Sequence, residues 1–545
     1  MGYEHDIGLD DIFYEKRKDA VEYQNYNDQG VIAMRESGIL MHITSLPGPY
    51  GIGTMGKSAY AFVDFLKKAG QSYWQILPLT PTSYGDSPYQ SCSTFAGNHY
   101  LIDLDLLVDE GLLKKEELVG VQWCGWESKV DYGLQYQNRL KVLRLAYDRF
   151  ESNEEFVRFC RENSSWLSDF ALFMALKQAN EGKPWYQWKT ELKTRLPDAM
   201  WTARQELRDE VSFYSFVQYL FSKQWEALRA YAHKNGIRII GDVPIYVPYD
   251  SADVWSNPEL FQLNEDLDPT GVAGVPPDAF SEDGQLWGNP LYRWDLMSQQ
   301  GYAWWINRLE AAGKLYDVIR LDHFRGFESY WEVPYGDKTA RGGRWVKGPD
   351  MEFINTIKEK LPQVRMIAED LGVLTDAVLE LRDGSGFPGM KVLQFAFDSR
   401  EPSEYLPQAY ITNTVCYTGT HDNMTTRQWF ESASADAVAY AKEYMALTTE
   451  EGYVWGVIRT AMSSVSDLCV VPMQDFLNIG KEGRMNFPGT MSDANWTWRA
   501  SEDMINDTLA QKIYRMTRLY DRAPKTSNNK TVGHSPAHEM ENEKV

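Results

Sequence analysis

Residues 302–327 read YAWWINRLEAAGKLYDVIRLDHFRGF, and the fold turns on them. The first half has apolar residues at helical spacing and stops at Gly313, a glycine helix end. The second half carries a short apolar run, Val318-Ile319, that leads into Arg320 and Asp322. A helix followed by a continuously apolar strand is one step of a parallel sheet buried on both faces. An acid at the end of such a strand is costly to bury unless it is paired. Arg320 and Asp322 therefore read either as a structural ion pair or as a catalytic carboxylate that Arg320 keeps ionised.

Moving outward, seven more apolar runs of strand type accompany DVIRLD (317–322). They are GILMHI (38–43), YWQILPL (73–79), IRIIGDV (237–243), RMIAED (365–370), KVLQFAF (391–397), TVCYTG (414–419) and LCVVPM (468–473). Helical patterns fall between several of them, as in SAYAFVDFLKKAG (58–70). Eight parallel strands with helices between them predict an α/β fold, a closed (β/α)8 barrel. The alternative is an open doubly wound sheet.

Two gaps are too long for simple crossovers. Residues 104–232 read as a helical insertion, with Phe213, Phe216, Leu220 and Trp225 on one helix face. Residues 248–301 are rich in Pro, Gly, Asp and aromatics and read as a long loop excursion. Both are expected on the barrel face where strands end, which carries the chemistry. Residues 1–30 read as an N-terminal extension, 31–523 as the catalytic barrel with its insertions, and 524–545 as a polar, disordered tail.

The chain carries 55 basic and 77 acidic residues, a net charge of −22. That excludes a nucleic-acid partner and an anionic membrane surface as expectations, since both need basic patches. No segment approaches the ~20 apolar residues of a membrane span, and the N-terminus lacks a signal-peptide pattern. The five cysteines are widely spaced with no CxxC, which fits a reduced cytoplasmic compartment. No histidines or cysteines show metal-ligand spacing, so the reading assigns no cofactor and no metal.

Acids recur at the strand ends: Asp242 in GDVPIYV, Asp322 in RLDHF, Glu369 and Asp370 in IAEDLG, and Asp422 in TGTHDN. One such acid alone is most simply an N-cap of the next helix. Four strand ends on one barrel face are harder to explain that way. Carboxylates without metal-binding histidines point to glycosyl chemistry, in which one anion faces an oxocarbenium-like centre and a second carboxyl of raised pKa supplies a proton. Crowding of like charges is the expected source of that raised pKa. The aromatic surplus, with 19 Trp and 32 Tyr, suits sugar faces. Trp255, Trp287 and Trp294 in the excursion are candidates to grip a chain-like substrate, whereas Trp304 and Trp305 on their helix read as core.

At this point RLDHFRGF, IAEDLG and TGTHDN, with GDSPYQSCSTFAGNHYLIDL (85–104), GDVPIYV (241–247) and GVPPDAFSEDGQLWGNPLYRW (274–294), resemble the 4-α-glucanotransferases. These are also called amylomaltases or disproportionating enzymes, glycoside hydrolase family 77. The resemblance runs in order from about residue 35 to about residue 520. It implies a (β/α)8 barrel and a retaining double displacement on maltooligosaccharides and starch- or glycogen-derived α-1,4-glucans. It places Asp322 on the nucleophile, Glu369 on the general acid/base and Asp422 on the third carboxylate. Arg320 and His421 fall on residues binding the sugar at the cleavage site, with Asp242 nearby in a strand-end motif. Tyr89 looks like the ring stacking on that sugar, and Trp287 like an acceptor-side platform in a lid-like loop. His99 stands where many relatives have proline. Two rival readings remain beside it. One is a hydrolase of the same fold that passes the glycosyl group to water. The other is an inactive glucan-binding barrel, against which the intact acids argue.

Overall fold

The structure, a computed structural model, describes residues 35–83, 85–277, 281–372, 374–398 and 403–525. The expected extension 1–30 lies outside the described residues, as does the expected tail beyond Lys525. Contacts divide the chain into Met1–Arg35 and Glu36–Val545, and the architecture below belongs to the second unit.

In chain order the strands are β1 (Glu36–Leu40), β2 (Tyr73–Gln75), β3 (Arg238–Val243), β4 (Gly271–Val275), β5 (Gln285–Pro290), β6 (Val318–Leu321), β7 (Ser329–Pro334), β8 (Arg344–Lys347), β9 (Arg365–Ala368), β10 (Gly389–Val392), β11 (Thr414–Tyr417) and β12 (Leu468–Pro472). Eight of them form one all-parallel sheet in the order β10-β11-β12-β1-β2-β3-β6-β9. Each of the eight apolar runs supplies one of these strands. Most of their buried residues are apolar because helices cover the outside and side-chain layers fill the inside, with Asp242 and Arg320 among the buried exceptions.

The seam between β9 and β10 closes differently from the others. The Ala368 amide donates to the Pro388 carbonyl at 3.0 Å. Beyond it, the Asp370 side chain takes over from a backbone carbonyl: its Oδ1 accepts the Met390 N–H at 2.7 Å, while Arg382 Nη1 donates to its Oδ2 at 2.9 Å. Asp370 is thus the structural member of the AED pair. Its neutralising arginine lies on the helix Asp376–Ser385, which follows β9.

Between most strands runs a helix, such as Lys57–Lys68, Ala303–Leu315 and Tyr453–Ser463. Between β10 and β11 the described residues form only 3-10 turns, Leu393–Phe395 and Pro407–Ala409. The first of these takes up the middle of the apolar run read as one strand over 391–397. Residues 104–232 fold into helices joined by loops. The last, Arg208–Lys234, is the long crossover into β3, and Phe213, Phe216, Leu220 and Trp225 are buried on its inner face.

The stretch 248–301 is not only loops. It contributes β4 and β5, which join β7 and β8 in a four-stranded antiparallel sheet ordered β5-β4-β7-β8. Glycines and a proline in GVAGV and QLWGNP hid these strands, because both residues weaken a strand pattern.

Candidate active site

Alternate residues of a strand point to the same side. Arg320 in β6 and Asp322 just after it therefore share the barrel's inner side, and β3 pairs Asp242 with Arg320 in register. Arg320 Nη1 donates to Asp242 Oδ2 at 2.7 Å and to Asp322 Oδ1 at 2.9 Å. The Tyr89 hydroxyl donates to the same Asp242 oxygen at 2.8 Å. The Asp242 side chain has no exposed surface, and that of Arg320 only 3%, whereas Asp322 keeps 26% of its side chain open to the cleft. Asp242 therefore stands behind Arg320 and Tyr89 and fixes both. The ion pair and the exposed carboxylate are two ends of one device.

Glu369 follows β9. Its Oε2 accepts the His323 N–H at 2.6 Å, and its Oε1 accepts the Leu371 N–H at 3.1 Å. His323 is the residue directly after Asp322, so Glu369 is tied to the backbone that carries Asp322. His323 has φ of 50°, a left-handed conformation that costs a non-glycine residue about 1–3 kcal/mol. The flanking Phe324 amide donates to the Glu369 carbonyl at 3.0 Å, so both partners of the turn are held.

Burial pushes Glu369 up to about 8; Arg320 opposes the rise and Asp322 adds to it. Burial also raises Asp322, to about 6, with Arg320 pulling it down and Asp242 and Asp422 pushing it up. Burial comes first in both cases, and crowding, the cause anticipated from sequence, is the smaller contribution. The two groups titrate apart, one tending to stay protonated near neutrality and one to ionise.

Asp422 lies on the loop after β11. His421 Nε2 is 3.3 Å from its Oδ2, and Asn486 Nδ2 donates to its Oδ1 at 2.7 Å. Burial pushes Asp422 up, but His421 and Asn486 outweigh it and hold the carboxyl below its ordinary value. One face of the Tyr89 ring stacks on His421, with centroids 5.2 Å apart and planes 13° from parallel.

Trp287, in β5, meets the His323 ring edge-on at 4.9 Å. Its indole Nε1 donates to Gln285 Oε1 at 3.2 Å, and the Gln285 side chain lies beside Gly489. The β4–β5 hairpin thus connects the turn after Asp322 to the loop that carries Asn486. Trp255 and Trp294 do not share this position. Trp255 is fully buried and donates to the Leu192 carbonyl at 3.0 Å. Trp294 packs among Tyr292, Trp305 and Phe353.

Tyr89, Asp242, Arg320, Asp322, Glu369, His421 and Asp422 are thus joined, directly or through one backbone amide or stacked ring, at one end of the barrel. Trp287 stands at its edge through His323. Sequence reasoning missed two participants. Asn486 lies in a loop after the last strand with no acid or periodicity to mark it. The part of His323 that counts is its backbone amide, which no side-chain pattern reports. Among the described residues no group of three or more His, Cys, Asp or Glu is placed to hold a metal ion.

Comparison with known proteins followed the same lines. The sequence profile of the family described as 4-alpha-glucanotransferase matches residues 41–505. The chain is 52% identical over 486 residues to a 4-alpha-glucanotransferase of Clostridium butyricum, covering 88% of this chain and 100% of the relative. It is 49% identical to a 4-alpha-glucanotransferase of Thermus thermophilus, covering 90% of this chain and 99% of that one. Its fold is similar to that of a Streptococcus agalactiae amylomaltase solved with acarbose, with a TM-score of 0.88 and 43% identity over 90% of this chain and 100% of that one.

Proposed function

The chain belongs to the 4-alpha-glucanotransferase family, glycoside hydrolase family 77, and from that premise we propose that it moves a segment of an α-1,4-glucan to the 4-hydroxyl of an acceptor glucan or glucose by a retaining double displacement. In the first step the Asp322 carboxylate attacks the anomeric carbon. The glycosidic C–O bond breaks, and the departing oxygen takes the proton of Glu369. A covalent ester links the glycosyl group to Asp322. In the second step the acceptor hydroxyl gives its proton to Glu369 and attacks the same carbon, releasing Asp322.

Asp422, held ionised, binds hydroxyls of the sugar being transferred and favours its distorted ring. Arg320 and His421 border that sugar, Tyr89 packs on it, and Asp242 positions Arg320 and Tyr89. Trp287 supplies the acceptor-side face. The observation carrying this reading is the hydrogen bond from the His323 amide to Glu369, which sets an acid of raised pKa beside a more acidic, cleft-exposed Asp322.

The substrates are maltooligosaccharides and starch- or glycogen-derived chains. No helix among the described residues is long and apolar enough to cross a membrane, and we place the reaction in the cytoplasm. Incubation with maltotriose and separation of the products tests the proposal. A ladder of longer oligosaccharides plus glucose is expected. Glucose and maltose with no ladder would make the enzyme a hydrolase.

A further inference from the structure

Behind the loop that carries His421 and Asp422 sits a carboxylate the mechanism does not use. Asp475 lies on the short helix Met473–Phe476, immediately after β12, and is 1% exposed. Its Oδ2 accepts the Thr418 hydroxyl at 2.6 Å and the Thr426 hydroxyl at 2.7 Å. Its Oδ1 accepts the Thr426 N–H at 2.7 Å. Thr418 is the residue after β11, and Thr426 opens the helix Thr426–Ser432. Both hydroxyls therefore end on one oxygen, and the segment between them, with His421 and Asp422 at its middle, is a loop drawn closed at its two ends.

We infer that Asp475 is a positioning residue for Asp422 and His421, acting through the Thr418–Thr426 loop. The inference rests on the proposed role of Asp422 but adds a residue to it. Three features support it. An ionised carboxylate buried without a cation carries a desolvation penalty of several kcal/mol, so a packed apolar residue would serve mere filling better. Here three donors replace the cation, and all three come from the two ends of this loop. Among the described residues no ion pair is made to Asp475, and burial raises its pKa against those three hydrogen bonds. Finally, Asp475 lines the same pocket as His421, Asn423, Thr425 and Arg484, so it and the loop face one shared space. The loop has an internal tie, Asn423 Oδ1 accepting the Thr420 N–H and hydroxyl, and one from the turn after β10, where Gln394 Nε2 donates to the Met424 carbonyl. These shape the loop. Asp475 anchors it to the barrel.

A double-mutant cycle on turnover tests this. Asp475→Ala and Thr418→Val are each made alone and in the Asp422→Ala background, and kcat and KM on maltotriose are measured with melting temperature alongside. A displaced catalytic group can cost on the order of 10²-fold in rate. Asp475→Ala is expected to lower kcat by about that factor with KM changed far less. The conservative Asp475→Asn is expected to recover part of the loss, because an amide oxygen still accepts and its nitrogen can donate to a threonine hydroxyl. In the Asp422→Ala background neither Asp475→Ala nor Thr418→Val should slow the enzyme further. Losses that multiply in the double variants, or a folded Thr418→Val with wild-type kcat, would overturn the assignment. If Asp475→Ala does not fold, the Thr418→Val arm decides alone. The readout stays separate from the family reading, since it is a ratio of rates and holds equally for transfer or hydrolysis.

Discussion

Arg320 holds Asp242 with the same nitrogen that holds Asp322, so the buried acid fixes the cation and the cation fixes the exposed acid. Arg320→Lys keeps a charge but loses the rigid guanidinium geometry that sets Nη1 between both carboxylates, and a fall in kcat of about 10²-fold is expected in steady-state assays. The two reacting carboxyls predict a bell-shaped kcat/KM against pH, with limbs near 6 and 8 belonging to the coupled pair. The proposed displacement needs Asp322 ionised and Glu369 protonated. A donor with a fluoride leaving group needs no proton, so Glu369→Ala should lose turnover on maltotriose yet still be glycosylated by α-glucosyl fluoride, without the alkaline limb. Stability carries the same signature. Glu369 has its folded pKa raised from 4.5 to about 8, so across that window the unfolded chain holds fewer protons and stability falls as pH rises. Melting temperatures of Glu369→Gln across the window should show a shallower fall than wild type.

The β4–β5 hairpin is where sequence and structure part most instructively. The eight barrel strands were legible because burial on both faces makes them continuous apolar runs bounded by helices. The hairpin is an antiparallel element interrupted by Gly274, Gly288 and Pro290, so it reads as loop. Trp287 stands beside His323 while Trp255 is buried away from the acids, a difference the sequence does not show because an aromatic in an aromatic-rich loop carries no mark of which way it faces. The strained turn at His323 was invisible for a related reason: backbone sign is set by what the turn must reach, here Glu369, and not by the residue that bears it. If the hairpin holds the acceptor, Trp287→Ala should shift products from transfer toward hydrolysis, read as the ratio of new oligosaccharides to free glucose and maltose. An unchanged ratio would make Trp287 a packing residue.

Across the whole molecule, chemistry and stability sit at opposite ends of the barrel. The acids crown the C-terminal ends of the strands. At the other end Arg522, fully buried, donates to the carbonyls of Glu36, Met462, Ser464 and Ser466, tying the entry of β1 to the turn before β12. Arg522→Met leaves those carbonyls unsatisfied and should cost on the order of 3 kcal/mol in denaturant unfolding, with kcat of the folded enzyme nearly unchanged. The central claim, a covalent passage through Asp322, has a direct test. The Glu369→Gln variant is loaded with α-glucosyl fluoride, digested, and mapped by peptide mass spectrometry. A glycosyl adduct on Asp322 is the predicted result; an adduct on any other residue, or none while the fluoride is consumed with inversion at the anomeric carbon, would contradict the account.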